Sequence, residues 1–422
     1  MNGTPTRRLF DRTRSRPALT LLLAVSAFFY LTAEEPSEAK TFRYAFRVGE
    51  EYRIVGINQQ QLVVDGEVIG EAEVLTRVLV ETVDSQAGSE GEVFGTLRAE
   101  YQVSEEATTD SGVFELDRTY DVELRQNALG EQEVPPESFV PQVRDVPVFP
   151  SKPISPGDTW THRAAEAYDF RESLGITSPV IVPVDAQYEY LGEREFENER
   201  YDAFRIRYNV FYRPPPTRPE AEAIRLLTAR FTQDLLWNYR AGRPHYYDER
   251  YNLFIQLADG TRSEYRGVAD GRVVYATPLD RERLQRDIED AIRADDMRDM
   301  SVRSDEEGVT VSLENIQFAP DSAELLESEK EKLRWLAQIL ERYPERDVLV
   351  SGHTALAGTA SGRQRLSEER ADAVGRFLIE LGVRTRENVM FRGYGARSPI
   401  ADNETEAGRR RNRRVEITIL EN

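Results

Sequence analysis

Three histidines, His162, His245 and His353, are the only ones in the chain, and cysteine is absent. None of the three has a second histidine or a carboxylate at metal-ligand spacing, so neither a zinc nor an iron site is expected. The chain carries no nucleophile elbow, phosphate loop or dinucleotide fingerprint, and Gly393-Tyr394-Gly395 falls short of a GxGxxG. We therefore expect no enzyme and no cofactor. The chemistry on offer is anion recognition. Arg370 stands in Leu366-Ser367-Glu368-Glu369-Arg370-Ala371, where Ser367 reads as a helix N-cap with two acids at the positive helix end. That reading puts Arg370 in the first helical turn, near the loop that leaves an apolar strand, Val348–Val350, at Gly352. A guanidinium beside unpaired backbone N–H groups is suited to holding a carboxylate.

The surrounding sequence supplies the elements to position it. Ala371, Val374, Leu378 and Leu381 recur at steps of three and four, one buried helical stripe that Gly382 ends. Upstream, Val309–Leu313 reads as a strand and Ser322–Tyr343 as a helix, with Leu326, Leu333, Leu336 and Leu340 on one side and Pro344 past its end. Downstream, Val389–Phe391 is a strand, Thr405–Arg411 a short helix, and Val415, Ile417 and Ile419 alternate in a last, half-exposed strand. The expected result is a mixed sheet with helices on one face.

Gly352-His353-Thr354-Ala355-Leu356-Ala357-Gly358, Ile316-Gln317-Phe318, Leu366–Ala371, Gly393–Gly395, Asn403–Arg409 and Asn412–Glu416 occur in an order that resembles the OmpA-like peptidoglycan-binding domain, over roughly residues 305–422. The resemblance implies a βαβαβ-β module that rests on the cell wall and grips the diamino acid of the stem peptide. In that family an Asp directly after Gly-His-Thr holds the amine and the Arg of Leu-Ser-x-x-Arg-Ala holds the carboxylate. Here the Arg is Arg370, the Asp position is Ala355, and an Asn three residues before the Leu is replaced by Arg363. The resemblance further implies that Thr354 and the backbone near Ala355 form the facing wall and that Arg413 lines the groove. Loss of one charge-assisted partner costs on the order of 1.5–3 kcal/mol. The expected outcomes are thus a stem diamino acid other than diaminopimelate, weak binding, or a retained fold that no longer binds.

From Thr41 to about Leu279 the chain reads as mainly antiparallel β, whether sandwich, open barrel or curved sheet. Phe42, Tyr44, Phe46 and Val48 alternate as in a strand, Asp65-Gly66 marks a hairpin, and prolines between Pro135 and Pro156 mark an extended crossing. Val48-Gly49-Glu50-Glu51-Tyr52 and Pro156-Gly157-Asp158-Thr159-Trp160 share a Gly-acid-x-aromatic pattern, the trace either of a duplication or of a common way to start a strand. Leu284, Ile288, Ala291 and Ile292 share one face of an otherwise charged connecting helix, with a hinge expected at Ser301–Gly308. The expected domains are a signal peptide at 1–39, with its basic start and apolar Ala18–Ala33 run, a β-rich domain at 40–279, a linker helix and hinge at 280–304, and the OmpA-like module at 305–422. The formal charge of −20 argues against nucleic acid as a partner, and Arg409-Arg410-Arg411 is expected to pair with acids of its own module. These readings describe a periplasmic, non-enzymatic protein that tethers a β domain to peptidoglycan, with other envelope or outer-membrane proteins as further partners. The alternatives are an outer-membrane β-barrel with a wall-anchoring tail and a carrier of apolar ligands.

Overall fold

The computed structural model describes residues 39–421 except 89–91, 107–111, 276–278, 298, 306, 315, 317 and 319–324. The signal peptide expected at 1–39 lies, but for its last residue, outside the described residues. Residues 38–422 make one compact unit.

Its β half is built from long strands: β1 (Glu51–Val64), β2 (Glu67–Ala87), β3 (Val93–Glu106), β4 (Phe114–Asn127), the short β5 (Gln132–Glu133) and β6 (Val143–Arg144), then β7 (Thr159–Tyr168). A one-turn helix α1 (Arg171–Leu174) follows, then β8 (Val180–Phe196), β9 (Glu199–Tyr212), β10 (Ile224–Asn238), β11 (Arg243–Leu257) and β12 (Arg262–Val274). Hydrogen-bonded neighbours run β7–β8–β9–β10–β11–β12–β1–β2–β3–β4, all antiparallel, with β5 added to β4 and β6 to β7. Among the described residues no ladder joins β4 to β7. The two edges meet through side chains instead: the Tyr120 hydroxyl donates to Asp169 at 2.9 Å, and the Arg171 guanidinium lies over the Tyr120 ring at 5.4 Å. The sheet is therefore an open barrel.

Aromatic side chains close one end of it. Phe42, Phe149, Tyr190, Phe204 and Trp237 are buried together, with Phe149–Trp237 and Phe42–Phe204 centroids 4.7 and 4.9 Å apart. Phe42–Val48 was expected as a strand, but forms no ladder: Tyr44 and Ala45 make single backbone bonds to Ala128 and Gly242, and the segment fills the barrel end. Alternation survives there because Phe42 and Tyr44 face the core even without strand partners. The shared Gly-acid-x-aromatic pattern has a shared geometry. Gly49 and Gly157 both take positive φ, 78° and 92°. The Gly49 N–H donates to Thr82 O while Thr82 N–H donates to Glu50 O, and Gly157, Tyr190 and Asp158 repeat the exchange. Two meanders, β1–β4 and β7–β10, thus begin alike.

The chain continues with α2 (Arg281–Ala294), β13 (Met300–Ser304), β14 (Gly308–Glu314), α3 (Glu327–Leu340), β15 (Val348–Gly352), α4 (Ala360–Glu380), β16 (Val389–Gly393), α5 (Glu406–Asn412) and β17 (Arg414–Leu420). The sheet order is β13–β14–β17–β15–β16, parallel only between β15 and β16. Val309, Val311, Val348, Val350, Val389, Val415 and Ile417 form one core with Leu284 and Ile288 of α2, Leu333 and Leu336 of α3, and Val374 and Leu378 of α4. Of the hinge expected at Ser301–Gly308, residues 301–304 lie instead in β13, paired with β14. The last strand, β17, was expected half-exposed and is buried throughout. It lies between β14 and β15, helices cover one of its faces, and the other face is enclosed too.

That other face of the sheet meets the outer face of β1–β4. Leu349, Met390 and Leu420 pack with Leu116, and β16 continues in parallel onto β4 through Met390–Phe114 and Phe391–Glu115. Asp347, wholly buried, accepts from Arg53 Nη1, from Arg77 Nε at 2.8 Å and from Asn388 Nδ2 at 2.7 Å. Burial alone would raise its pKa, but Arg77 and Arg53 outweigh it and hold the carboxyl below its ordinary range. Arg386–Glu73 adds an ion pair at 3.0 Å.

Candidate functional site

The site lies where β15 and β16 end against α4. Gly352 and Gly393 permit the close approach: an added Cβ would stand 2.0 Å from Ser367 O and 2.5 Å from Glu368 Cγ, respectively. α4 starts eight residues earlier than expected, at Ala360, because Thr359 caps it by accepting from Gly362 N–H at 3.1 Å. Ser367 is thus inside the helix. Its hydroxyl donates to Gln364 O at 2.7 Å and accepts from Gly395 N–H at 2.9 Å, pinning the loop after β16 to the helix. Arg370 consequently lies well beyond the first turn, where backbone N–H groups are already committed to the helix. Any anion it holds receives nothing from the N–H groups of the helix start.

Arg370 is half-buried, its guanidinium 4.9 Å from the Phe318 ring centroid and its Nε without a hydrogen-bond partner. No ion pair forms on it among the described residues. Burial first, then the charge of Arg413, push its pKa down, with Glu369 opposing. Arg413, half-buried, bonds Glu406 at 2.9 Å and directly precedes β17. β17 in turn pairs with β15, and His353 N–H donates to Arg414 O at 3.0 Å. Thr354, which follows, donates its N–H to Gly395 O at 2.8 Å while its buried hydroxyl has no partner. Ala355 is buried and Leu356 exposed, its N–H bound to Asn403 Oδ1 at 3.0 Å. Electrostatic proximity thus joins Arg370 to Arg413, and strand pairing joins Arg413 to the Thr354–Ala355 loop. Arg363 turns aside, donating to Gly358 O at 2.6 Å.

The histidines do other work. His353 stacks on Tyr394 with centroids 5.1 Å apart, neither ring nitrogen has a hydrogen-bond partner, and burial with Arg414 pushes its pKa down to about 4. Stacking, not hydrogen bonding, is what holds its ring. His162 lies 3.3 Å from Glu131, and His245 stacks on Tyr201 at 4.1 Å. The arginine run is committed to acids: Arg409 to Glu406, Arg411 to Glu314 and Arg414 to Glu416. Among the described residues no three His, Cys, Asp or Glu side chains gather as a metal site. Sequence reasoning assigned no role to the Phe318 ring beneath Arg370. It also missed Asn412, fully buried, whose Oδ1 accepts from Ile400 and Ala401 N–H at 2.8 and 3.0 Å and shapes the loop opposite.

Residues 317–413 match the model of the OmpA family. A probable lipoprotein YiaD of Escherichia coli K12 is 36% identical over 32% of this chain and 62% of its own length. Peptidoglycan-binding protein ArfA of Mycobacterium tuberculosis H37Rv is 36% identical over 25% of this chain and 32% of its own. The cell wall anchor of the T6SS from Pseudomonas aeruginosa is 30% identical over 34% of this chain and 100% of that structure, with a TM-score of 0.29. This chain spans less than two thirds of the length of both curated relatives.

Proposed function

We propose, on the premise that residues 317–413 of this chain are an OmpA-family domain, that the protein is a non-enzymatic envelope component that holds its β domain against peptidoglycan. The observation that carries this reading is Arg370: half-buried, stacked on Phe318, beside a second guanidinium and with no ion pair among the described residues. Such a cation is completed by an anion from outside, and a stem-peptide carboxylate is the anion proposed. Similarity to a protein named as peptidoglycan-binding supports it. Thr354 and the backbone at Ala355 form the facing wall, with Arg413 at the rim. No carboxylate stands at position 355 to receive an ammonium, so the stem residue read here need not be diaminopimelate.

In this reading residues 1–39 direct export, 40–279 form the β domain, 280–304 connect, and 305–422 bind the wall, with a periplasmic location. The spanning-barrel alternative loses support from the outward residues of β8–β12. Asp185, Arg207, Arg230, Arg250, Arg266 and Asp270 are exposed there, where a barrel in lipid presents an apolar band.

Retention on purified sacculi tests the proposal. Arg370→Ala should lower affinity by about one to two decades, the worth of about 1.5–3 kcal/mol for a hydrogen bond to a charged group. Ala355→Asp should gain affinity for diaminopimelate-type walls. Equal retention of wild type and Arg370→Ala on every wall type would remove Arg370 from the site.

A further inference from the structure

We propose that the open end of the β-domain barrel is a binding site for an organic ammonium ion, seated on the Glu249 carboxylate between tyrosine rings. Register fixes which residues face inward. Leu235, Gln233 and Phe231 of β10 pair with Tyr247, Glu249 and Tyr251 of β11. Glu249 continues across to Ala269 of β12, Asn58 of β1 and Val74 of β2.

Burial along the inward rows is uneven around the barrel: β8, β9 and β10 bury Val180, Val210 and Leu227 at the hairpin end too, whereas β12 and β2 do not bury theirs. On β12, Gly271 and Val273 are buried, whereas Ser263, Tyr265, Gly267 and Ala269 are half-buried. On β2, Val78 and Val80 are buried, Val74 and Thr76 half-buried and Ala72 exposed. The lumen is therefore accessible beside β12, β1 and β2, from the side of the Asp65-Gly66 hairpin, and closed at the other end by the aromatic plug. Glycines keep its wall flat: a Cβ on Gly267 would lie 2.2 Å from the Tyr251 ring, and one on Gly271 2.4 Å from that of Tyr247. The tyrosines thus lie against the sheet rather than across the opening.

The lining of β10, β11, β12, β1 and β2 offers acceptors and no cation. The Tyr251 hydroxyl has one proton for two oxygens, Asn58 Oδ1 at 3.1 Å and Gln60 Oε1 at 3.0 Å. Inward positions from Tyr247 to Ile255, Ser263 to Val273, Ile54 to Val64 and Ala72 to Val78 include no lysine or arginine. The groups bearing on Glu249 are Glu166 of β7, Tyr208 of β9, and Tyr247 and Tyr251 of its own strand, none of them cationic. Glu166, 4% exposed, receives the Tyr208 hydroxyl at 2.6 Å. Beside it on the same face, Tyr168 is 9% exposed and its hydroxyl is directed at the Glu166 carboxylate too. A hydroxyl accepts as well as donates. A ligand bearing several N–H donors and a positive charge satisfies this surplus, and flat tyrosines give it π faces.

Burial, then the charge of Glu166, push the Glu249 carboxyl up to about 8. An entering ammonium must therefore displace its proton below that pH, and affinity should rise with pH up to it. Calorimetry of the full chain with n-hexylammonium, 1-hexanol and hexanoate at pH 6.5 and 8.5 tests the site. The expected result is saturable binding of the ammonium alone, tighter at pH 8.5 by about tenfold or more. Glu249→Gln should weaken it by about tenfold and flatten its pH dependence. Ala269→Lys, which supplies the cation from within, should abolish it. Absence of ammonium binding, equal binding of hexanol or hexanoate, or unchanged affinity in both variants would overturn the proposal.

Discussion

Asp347→Asn is the sharpest perturbation available at the junction of the two halves. The carboxylate is inaccessible, and two guanidinium groups from the β domain, Arg53 and Arg77, converge on one of its oxygens. The amide keeps the shape and the contact with Asn388, but leaves two buried cations without their anion. Removing one partner of a buried ion pair costs about 3–5 kcal/mol, against which a lost surface pair would cost about 0–1 kcal/mol. The folding or docking equilibrium should shift by about two to four decades. Urea unfolding should show a lower midpoint, and hydrogen exchange should accelerate first in β1, β2 and β15. In an Arg53→Met, Arg77→Met background the same substitution should cost far less, since the orphaned charges are gone. The carboxyl's folded pKa is depressed, so its contribution is fully present above the unfolded value of about 3.9 and fades as pH falls through the lower folded value. Wild type should therefore lose an acid-sensitive increment that the variant lacks. An unchanged midpoint in Asp347→Asn would refute the reasoning.

Three further outcomes follow from other sites. Burial pushes Glu166 up to about 7, with the Tyr208 hydrogen bond opposing; because the folded value is raised, stability is highest below the unfolded carboxyl value and falls by up to about 1.4 kcal/mol per pH unit as pH rises toward 7. Glu166→Gln should flatten that slope in urea titrations at pH 5 and 7. Gly308 has φ 146°, and a Cβ there would stand 2.0 Å from Ile419 O, so Gly308→Ala should destabilise the β14–β17 pair by more than about 1 kcal/mol, read as a lower unfolding midpoint. Thr359→Ala removes the cap of the helix that carries Arg370 and should cost about 1 kcal/mol, with faster exchange at Gly362 and its neighbours.

Periodicity made the C-terminal module legible almost strand by strand, since apolar residues at strand and helix spacing there do pack in one core. Three features escaped for physical reasons. The start of α4 was misplaced because Ser367 fits the pattern of a cap, while the competing cap at Thr359 precedes a stretch with no apolar stripe to announce a helix. The burial of β17 was invisible because polar Thr418 and Glu416 alternate with its apolar residues, and only a second layer explains why both faces are enclosed. That Arg370 stands on a helix was legible, but its surroundings were not: Phe318 and Arg413 reach it from elements far apart in the chain. In the β half the alternation of Phe42, Tyr44 and Phe46 reports which side faces the core, and it is silent about whether a partner strand exists. The meeting of Arg53 and Arg77 with Asp347 left no signal at all, because charge pairing across nearly three hundred residues has no period.

The parallel step from β16 onto β4 has a bearing on how this chain can be cut. A fragment beginning at residue 305 would lose Val113, Leu284, Ile288 and Met300 from its interior. It would also bare Leu349, Met390 and Leu420 and leave the β16 margin unpaired, an invitation to self-association. Wall-affinity work on the excised tail alone would then measure a sticky remnant, whereas the intact polypeptide presents Arg370 on a body whose rear is already sealed.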